Sequence, residues 1–291
     1  MTARLTIRHT TTYRWDTPVS YALQQLRLTP KDRPGQTVID WSTRIDGGRV
    51  EVAFDDAHAN RTQLVSVDAG RTEVTITAAG TVEIEDQQGV IGQQGGFMPL
   101  WMFLRPTDRT RRGPGTLALA REVRDVDDQL AQMHALSQVI RDQVTYASGT
   151  TEVTMTAEEA VANGTGVCQD HAHIFVTAAR LLDRPARYVS GYLKMDGIEE
   201  QDATHAWAEA HVDGLGWVGF DISNGISPDD RYVRVATGLD YEDASPVSGI
   251  RQGPGTETMS VHLSVSEGAS QSQSQSQAGQ SQSQSQSQPR G

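Results

Sequence analysis

From Arg4 to about residue 84 the chain is a series of β-branched and aromatic runs separated by turn residues. No other feature restricts its fold as much. "RLTIRHTTTYRW" is followed, after Asp16-Thr17-Pro18, by "SYALQQLRLTP". "TVIDWSTRID" then meets Gly47-Gly48, which leads into "RVEVAF", and "RTEVTITAAGTVEIED" closes the series. Runs of this kind predict an antiparallel sandwich or curled sheet. A sheet domain assigns no chemistry by itself, so a scaffold or docking role is expected for it.

The pattern breaks at "DQQGVIGQQGGFMPLWMFLRPTDRTRRGPG", residues 86–115, a connection rich in Gly and Pro whose apolar patch Phe97–Leu104 is expected to pack against one neighbour or the other. From Thr116 the period becomes helical. In "DDQLAQMHALSQVIRDQVTY" the residues Leu130, Met133, Leu136, Ile140 and Val144 recur at spacings of three and four, and Asp127 and Asp128 suit the positive helix end. Thr156 and Glu159 have capping-box spacing and Gly164 suits a left-handed stop, so a short helix is predicted between them. The next helix is expected to start near Cys168, to bury Ala172, Phe175, Val176, Ala179 and Leu182, and to end at Asp183-Arg184-Pro185. Strand-like segments follow at 186–193, 205–212, 216–222 and 231–238, an α+β pattern. The expected division is a β domain over 1–85, a linker over 86–115, a core with C-terminal strands over 116–266, and a disordered Gln/Ser tail over 267–291.

Composition narrows the function. A net charge of −12 argues against nucleic acid as the ligand, since phosphate binding needs a basic stripe. "RPTDRTRRG" sits among Pro and Gly and reads as a solvated linker. The opening residues lack the apolar core of a signal peptide and no stretch approaches transmembrane length, so no membrane partner and a cytoplasmic location are expected. The single cysteine permits no internal disulfide.

That cysteine, Cys168, stands in "GTGVCQDHAH". A thiol nucleophile needs a site that favours negative sulfur and a basic or cationic partner. A helix start supplies the first through free amides and the dipole, and the Cys168 amide there suits an oxyanion. Of the eight histidines, His9 and His58 fall in the β region, His134 in a helix and His262 near the tail, which leaves His171, His173, His205 and His211. By alternation His205, Trp207, Glu209 and His211 share one strand face. An odd loop around Asp213-Gly214 puts Asp221 on the same face as His205, and a three-residue loop is expected to set the two directly opposite. The residues leave three readings open: a Cys-His-Asp triad, a structural metal site drawing on Cys168, His171, His173 and His205, and a buried apolar thiol. The metal reading lacks any paired CxxC or HxxxH spacing, and no acidic loop has calcium-ligand spacing, so no metal or cofactor is expected.

"GTGVCQDHAHIFVTAARLLDRPARYVSGYL", "THAWAEAHVDGLGWVGFDISNG" and "YVRVATGLDYEDASPVSG", in that order, resemble the bacterial transglutaminase-like superfamily, and "TIRHTTTYRWDTPVSYALQQLRLTP" resembles the region preceding its core. The resemblance runs from about Thr6 to Gly249. It implies an α+β fold: an N-terminal antiparallel β-sandwich-like domain followed by a papain-like transglutaminase core of helices on an antiparallel sheet. It also implies Cys168 as nucleophile, His205 as base and Asp221 as carboxylate partner. Gln169 and Asp170 match the usual "CQD", with Asp170 a supporting residue. Trp207 matches the aromatic of the histidine strand, a groove wall or a core residue.

Two departures stand out. His171 replaces an aromatic or apolar residue and reads as a partly exposed helix position, and "DISNG" replaces Asp-Pro-Thr-Asn-Gly. The implied reaction is acyl transfer from a peptide or protein carboxamide through a thioester. With water as acceptor the same site would be a cysteine protease or amidase, and a non-catalytic protein-binding module on the same fold is the third class.

Overall fold

The structure is a computed structural model that describes residues 2–93, 95–147 and 154–268. Six strands open the chain: β1 (Thr2–Trp15), β2 (Tyr21–Thr29), β3 (Gln36–Asp46), β4 (Gly48–Asp55), β5 (Arg61–Val67) and β6 (Glu73–Glu85). A short β7 (Val90–Gly92) and a 3-10 turn (Leu100–Leu104) lead to α1 (Pro114–Glu122) and α2 (Gln129–Gln143). Then follow β8 (Thr145–Tyr146), α3 (Ala157–Asn163), β9 (Thr165–Gly166) and α4 (Cys168–Leu181). The chain continues through β10 (Ala186–Leu193), β11 (Glu200–Gln201), β12 (His205–Val212), β13 (Gly216–Phe220) and β14 (Tyr232–Gly238). It closes with α5 (Tyr241–Ala244), β15 (Val247–Gln252) and β16 (Glu257–Glu267).

Two antiparallel sheets, ordered β11-β16-β1-β6-β3 and β15-β2-β5-β4, form the sandwich, and a third, β14-β10-β12-β13-β7, belongs to the helical core. The long strands β1 and β6 serve both units. Their C- and N-terminal halves respectively (Tyr13, Trp15; Val74, Ile76, Ala78) bury against β2 and β5. Their other ends (Leu5, Ile7; Val82, Ile84) pack with Tyr192, Val233 and Val235 of the core sheet. A strand of 14 residues is long enough for one face to meet two partners in succession.

The closing strands β15 and β16 are hydrogen-bonded to β2 and β1, not to the core sheet. The segment 247–266, expected with the core, therefore completes the sandwich. Local pattern does not reveal which distant strand an edge will pair with. Glu267 still belongs to β16, and the tail expected from 267 lies, beyond Gly268, outside the described residues. "RTQLVSV", absent from the expected runs, is β5, a strand whose Gln and Ser blur its alternation. The linker also carries structure. β7 joins the core sheet beside β13. Of the patch Phe97–Leu104 only Phe103 is buried, 5.0 Å from the Trp217 ring, while Phe97 and Trp101 are exposed.

Helix α4 is the axis of the core. Its apolar residues Ala172, Phe175, Val176 and Ala179 meet Ala206, Ala208 and Ala210 of β12, and α1, α2 and α3 cover its other sides. Small alanines on the strand let the helix sit close to the sheet. The opposite face of β12 is also buried, which explains its polar members. Glu209, fully buried, accepts from Arg187 and Arg234 at 2.5 Å each, and the Arg187 guanidinium lies 3.8 Å from the Trp217 ring centroid. Among the described residues no helix is long and apolar enough to cross a membrane.

Candidate active site

The start of α4 is fixed by the residues around it. Thr156 and Glu159 form the capping box of α3, and Gly164 ends that helix at φ 67°, a left-handed conformation that costs glycine nothing. β8 and β9 pair in parallel, so the end of α2 holds Gly166 in place. The Val167 amide then donates to Asp170 Oδ2 at 2.8 Å, so Asp170 satisfies one of the orphan amides of the helix start. Gly166 is needed for this approach, since a Cβ there would lie 2.7 Å from Asp170 Cβ. Asp170 is thus a buried cap, Gln169 lines the adjoining cleft, and half-buried Cys168 is the first residue of the helix, at its positive end.

His205 opens β12, and Asp221 lies one residue past β13. The hairpin loop holds three residues, 213–215; Val212 pairs with Gly216 and Ala208 with Phe220. The odd loop keeps His205 and Asp221 on one face. Direct opposition does not occur: with Val212 paired to Gly216 a three-residue loop offsets the two by two residues, only a one-residue loop would align them, and the pair meets diagonally. His205 Nε2 bonds Asp221 Oδ2 at 2.6 Å, and Cys168 lines the same cleft and acts on the same ring. With Nε2 committed to the carboxylate, Nδ1 is the ring atom left for sulfur.

Two residues missed in the sequence complete this end of the site. Asn224 Nδ2 and the Tyr232 hydroxyl each donate to Asp221 Oδ2 at 2.7 Å, and the Asn224 amide donates to Oδ1 at 3.2 Å. Asn224 stood in the quoted "DISNG"; Tyr232 comes from β14, with no local signal. Burial works to raise the Asp221 pKa, but these donors and His205 hold it below the usual carboxylate range. Burial likewise works to lower that of His205, yet its bonds to Asp221 and Cys168, with their charges, carry it up to about 10. Burial and the Asp221 charge push the Tyr232 hydroxyl well up, so it remains a donor.

The remaining candidates separate. His171 is buried, not partly exposed: Nε2 donates to the Val144 carbonyl at 3.0 Å, so Nδ1 accepts from the Ser223 hydroxyl at 2.9 Å. The two departures from the family pattern therefore touch each other, and together they tie the turn carrying Asp221 to the end of α2. Desolvation lowers the His171 pKa. His173 is buried, accepts from the Tyr241 amide at 3.1 Å, and burial with Arg109 and Arg180 nearby pushes it down to about 3. His211 stacks edge-on against Trp217. Of the four residues weighed as metal ligands, His171 and His173 thus face partners other than Cys168 and His205. Trp207 is a buried residue behind the site: its ring stacks on His205 at 6.2 Å and meets Tyr232 edge-on at 5.5 Å, and it does not line the cleft that holds Cys168.

That cleft, about 590 Å³, runs between the core and the sandwich. Its core side includes Cys168, Gln169, Tyr188 and His205, and its other side includes His9 and Thr11 of β1 with Met259 and Val261 of β16. His9, set aside in the sequence as part of the β region, bonds the Tyr192 hydroxyl and Thr11 Oγ1, each at 3.1 Å, and burial lowers its pKa to about 4. The sandwich is thus a wall of the cleft rather than a separate scaffold.

Profiles of known families match both parts of the chain: the bacterial transglutaminase-like N-terminal region over residues 5–83, and the transglutaminase-like superfamily core over 117–222. The chain belongs to the transglutaminase-like superfamily. An uncharacterised Mycobacterium leprae protein is 27% identical to this transglutaminase-like chain over 276 residues, spanning 90% of this chain and 98% of the relative. An uncharacterised Mycobacterium bovis protein is 28% identical over 279 residues, 86% of this chain and 88% of its own. A candidate cysteine protease from Cytophaga hutchinsonii, known from its crystal structure, superposes with a TM-score of 0.75 at 21% identity over 93% of this chain and 92% of its own. At that identity the likeness establishes the shared fold.

Proposed function

We propose that this transglutaminase-like protein transfers acyl groups from peptide or protein carboxamides or amides, with Cys168 as nucleophile, His205 as proton carrier and Asp221 as the group that orients His205. A protonated His205 beside Cys168 describes a thiolate–imidazolium pair. The sulfur attacks the carbonyl carbon, and the oxygen takes the electron pair near the amides at the start of α4. His205 gives its proton to the nitrogen, which leaves as ammonia or an amine, and a thioester remains. An acceptor amine or water then loses a proton to His205 as it attacks, and Cys168 is released. Asp221 stays ionised throughout, held by Asn224 and Tyr232.

The observation that carries this reading is one ring between two groups: its Nε2 on a buried carboxylate at 2.6 Å, and beside it, in the same cleft, a thiol at a helix N-terminus that acts on the ring. A protein-binding module needs none of these together. With water as acceptor the same thioester yields deamidation or peptide cleavage, the cysteine protease or amidase form of the reaction. Incubation with glutamine-containing peptides, with and without a primary amine and read by mass, tests the proposal. Amine adducts identify a transferase, a gain of about one dalton a deamidase, and cleavage a protease, all expected on one intermediate. No product from any peptide, together with a Cys168 that iodoacetamide labels only after unfolding, would overturn it.

A further inference from the structure

β16 is bonded on one edge to β1 along its whole length, from Leu5↔Glu267 to Trp15↔Glu257. On its other edge β11 covers only Ser264 and Leu263. The Val265 amide donates outward, to the Glu199 carbonyl at 2.9 Å. In an antiparallel ladder the backbone groups alternate between edges. Val261 and Met259, of the same parity, therefore turn their N–H and C=O groups away from β1. Among the described residues nothing pairs with them.

The same two residues line the cleft that holds Cys168 and His205. Beyond Gln201 the chain leaves β16, and Asp202–Thr204 become the facing wall on the way to His205. The unpaired stretch of this edge thus borders the cleft. Exposed strand edges are usually blunted by lysine, proline or a cover; here the edge carries exposed Met259 and half-buried Val261. Met195 and Ile198 add apolar surface, Glu200 and Asp202 add negative charge, and among the described residues no lysine or arginine lines the cleft.

We propose that the acyl-donor substrate is an extended peptide bound by strand addition to the free edge of β16 at Met259 and Val261. Apolar side chains at alternate positions face the cleft, and neutral or cationic residues suit its acidic rim. Backbone hydrogen bonds then supply affinity and the alternate side chains supply selectivity. This rests on the acyl-transfer reading, and it assigns the sandwich a direct part in choosing the substrate.

The probe is a hexapeptide with valine at alternate positions that carries a chloromethyl ketone in place of one glutamine carboxamide. Iodoacetamide, which has no chain to bind, is the control, and labelling of Cys168 is followed by intact mass. Val261→Pro removes only an outward N–H, a placement proline tolerates on a strand edge. It should slow peptide labelling about tenfold, the effect of losing one backbone hydrogen bond, and leave the iodoacetamide rate unchanged. Val261→Thr, which keeps the N–H, should retain the wild-type rate. On the unaltered protein, N-methylation of the peptide should slow labelling at alternate positions only. Equal sensitivity at every position, no sensitivity at any, or a peptide rate unchanged in Val261→Pro overturns strand addition. So does peptide labelling that slows with protein concentration and speeds up in Val261→Pro, the signature of a second copy on that edge. If iodoacetamide itself fails to label folded wild-type protein, the acyl-transfer reading fails first.

Discussion

Replacing Asp221 by Asn tests the electrostatics of the site directly. In the folded protein His205 holds its proton up to about 10, against an ordinary value of 6.5. At 1.36 kcal/mol per pH unit, that difference is about 5 kcal/mol of preference for the charged ring, shared between Asp221 and Cys168 and net of the cost of burial. An opposite charge within hydrogen-bond distance is typically responsible for about 1–3 pH units, so Asp221→Asn should bring the His205 midpoint down to roughly 7–9. Because the folded value lies above the unfolded one, His205 stabilises the fold fully below about 6.5 and loses that contribution as pH rises through about 10. The variant should therefore lose its alkaline stability at lower pH than the wild type. Ring nitrogen shifts of labelled histidine report the midpoint, with His205 identified by its disappearance in His205→Gln. A wild-type midpoint near 6.5, or no change in Asp221→Asn, would refute the reasoning.

Three further outcomes follow from the packing around the site. Gly166→Ala places a methyl against the Asp170 side chain and should lower stability by about 1–3 kcal/mol in urea unfolding; an unchanged midpoint would show that Asp170 does not need this approach. His171→Phe and Ser223→Ala should each cost about 1–3 kcal/mol by leaving a buried polar group unpaired, and a double-mutant cycle should show coupling between them, where strict additivity would deny their contact. His9 and His173 are held neutral in the fold, with values of about 4 and about 3. The unfolded chain therefore binds more protons below about 6.5, and stability should fall by about 3 kcal/mol between that pH and pH 5; a flat acid profile would contradict their burial.

Chain-local features of this fold were legible in the sequence because short-range physics writes them. The capping box of α3, the glycine stop at Gly164, the helix start at Cys168 and the single face shared by His205 and Asp221 all follow from spacing alone. What the sequence hid depends on pairings between distant segments. Tyr232 reaches Asp221 from another strand, and β15 and β16 return to the sandwich across more than the length of the core. His171 looked like a surface neighbour of the thiol because helical periodicity does not show that Val144 and Ser223 close over it. His9 gave no sign of lining the cleft, since only the meeting of β1 with the core creates that wall.

The most direct test of the account is the intact mass of the protein, quenched in acid seconds after mixing with a glutamine-containing peptide. A hydroxylamine-labile adduct on Cys168, equal to the peptide less ammonia or to its acyl fragment, is the predicted result, absent in Cys168→Ala and formed far more slowly in His205→Gln. Product formation with no such adduct, or product formation that survives Cys168→Ala, would contradict the claim that the thiol carries the acyl group.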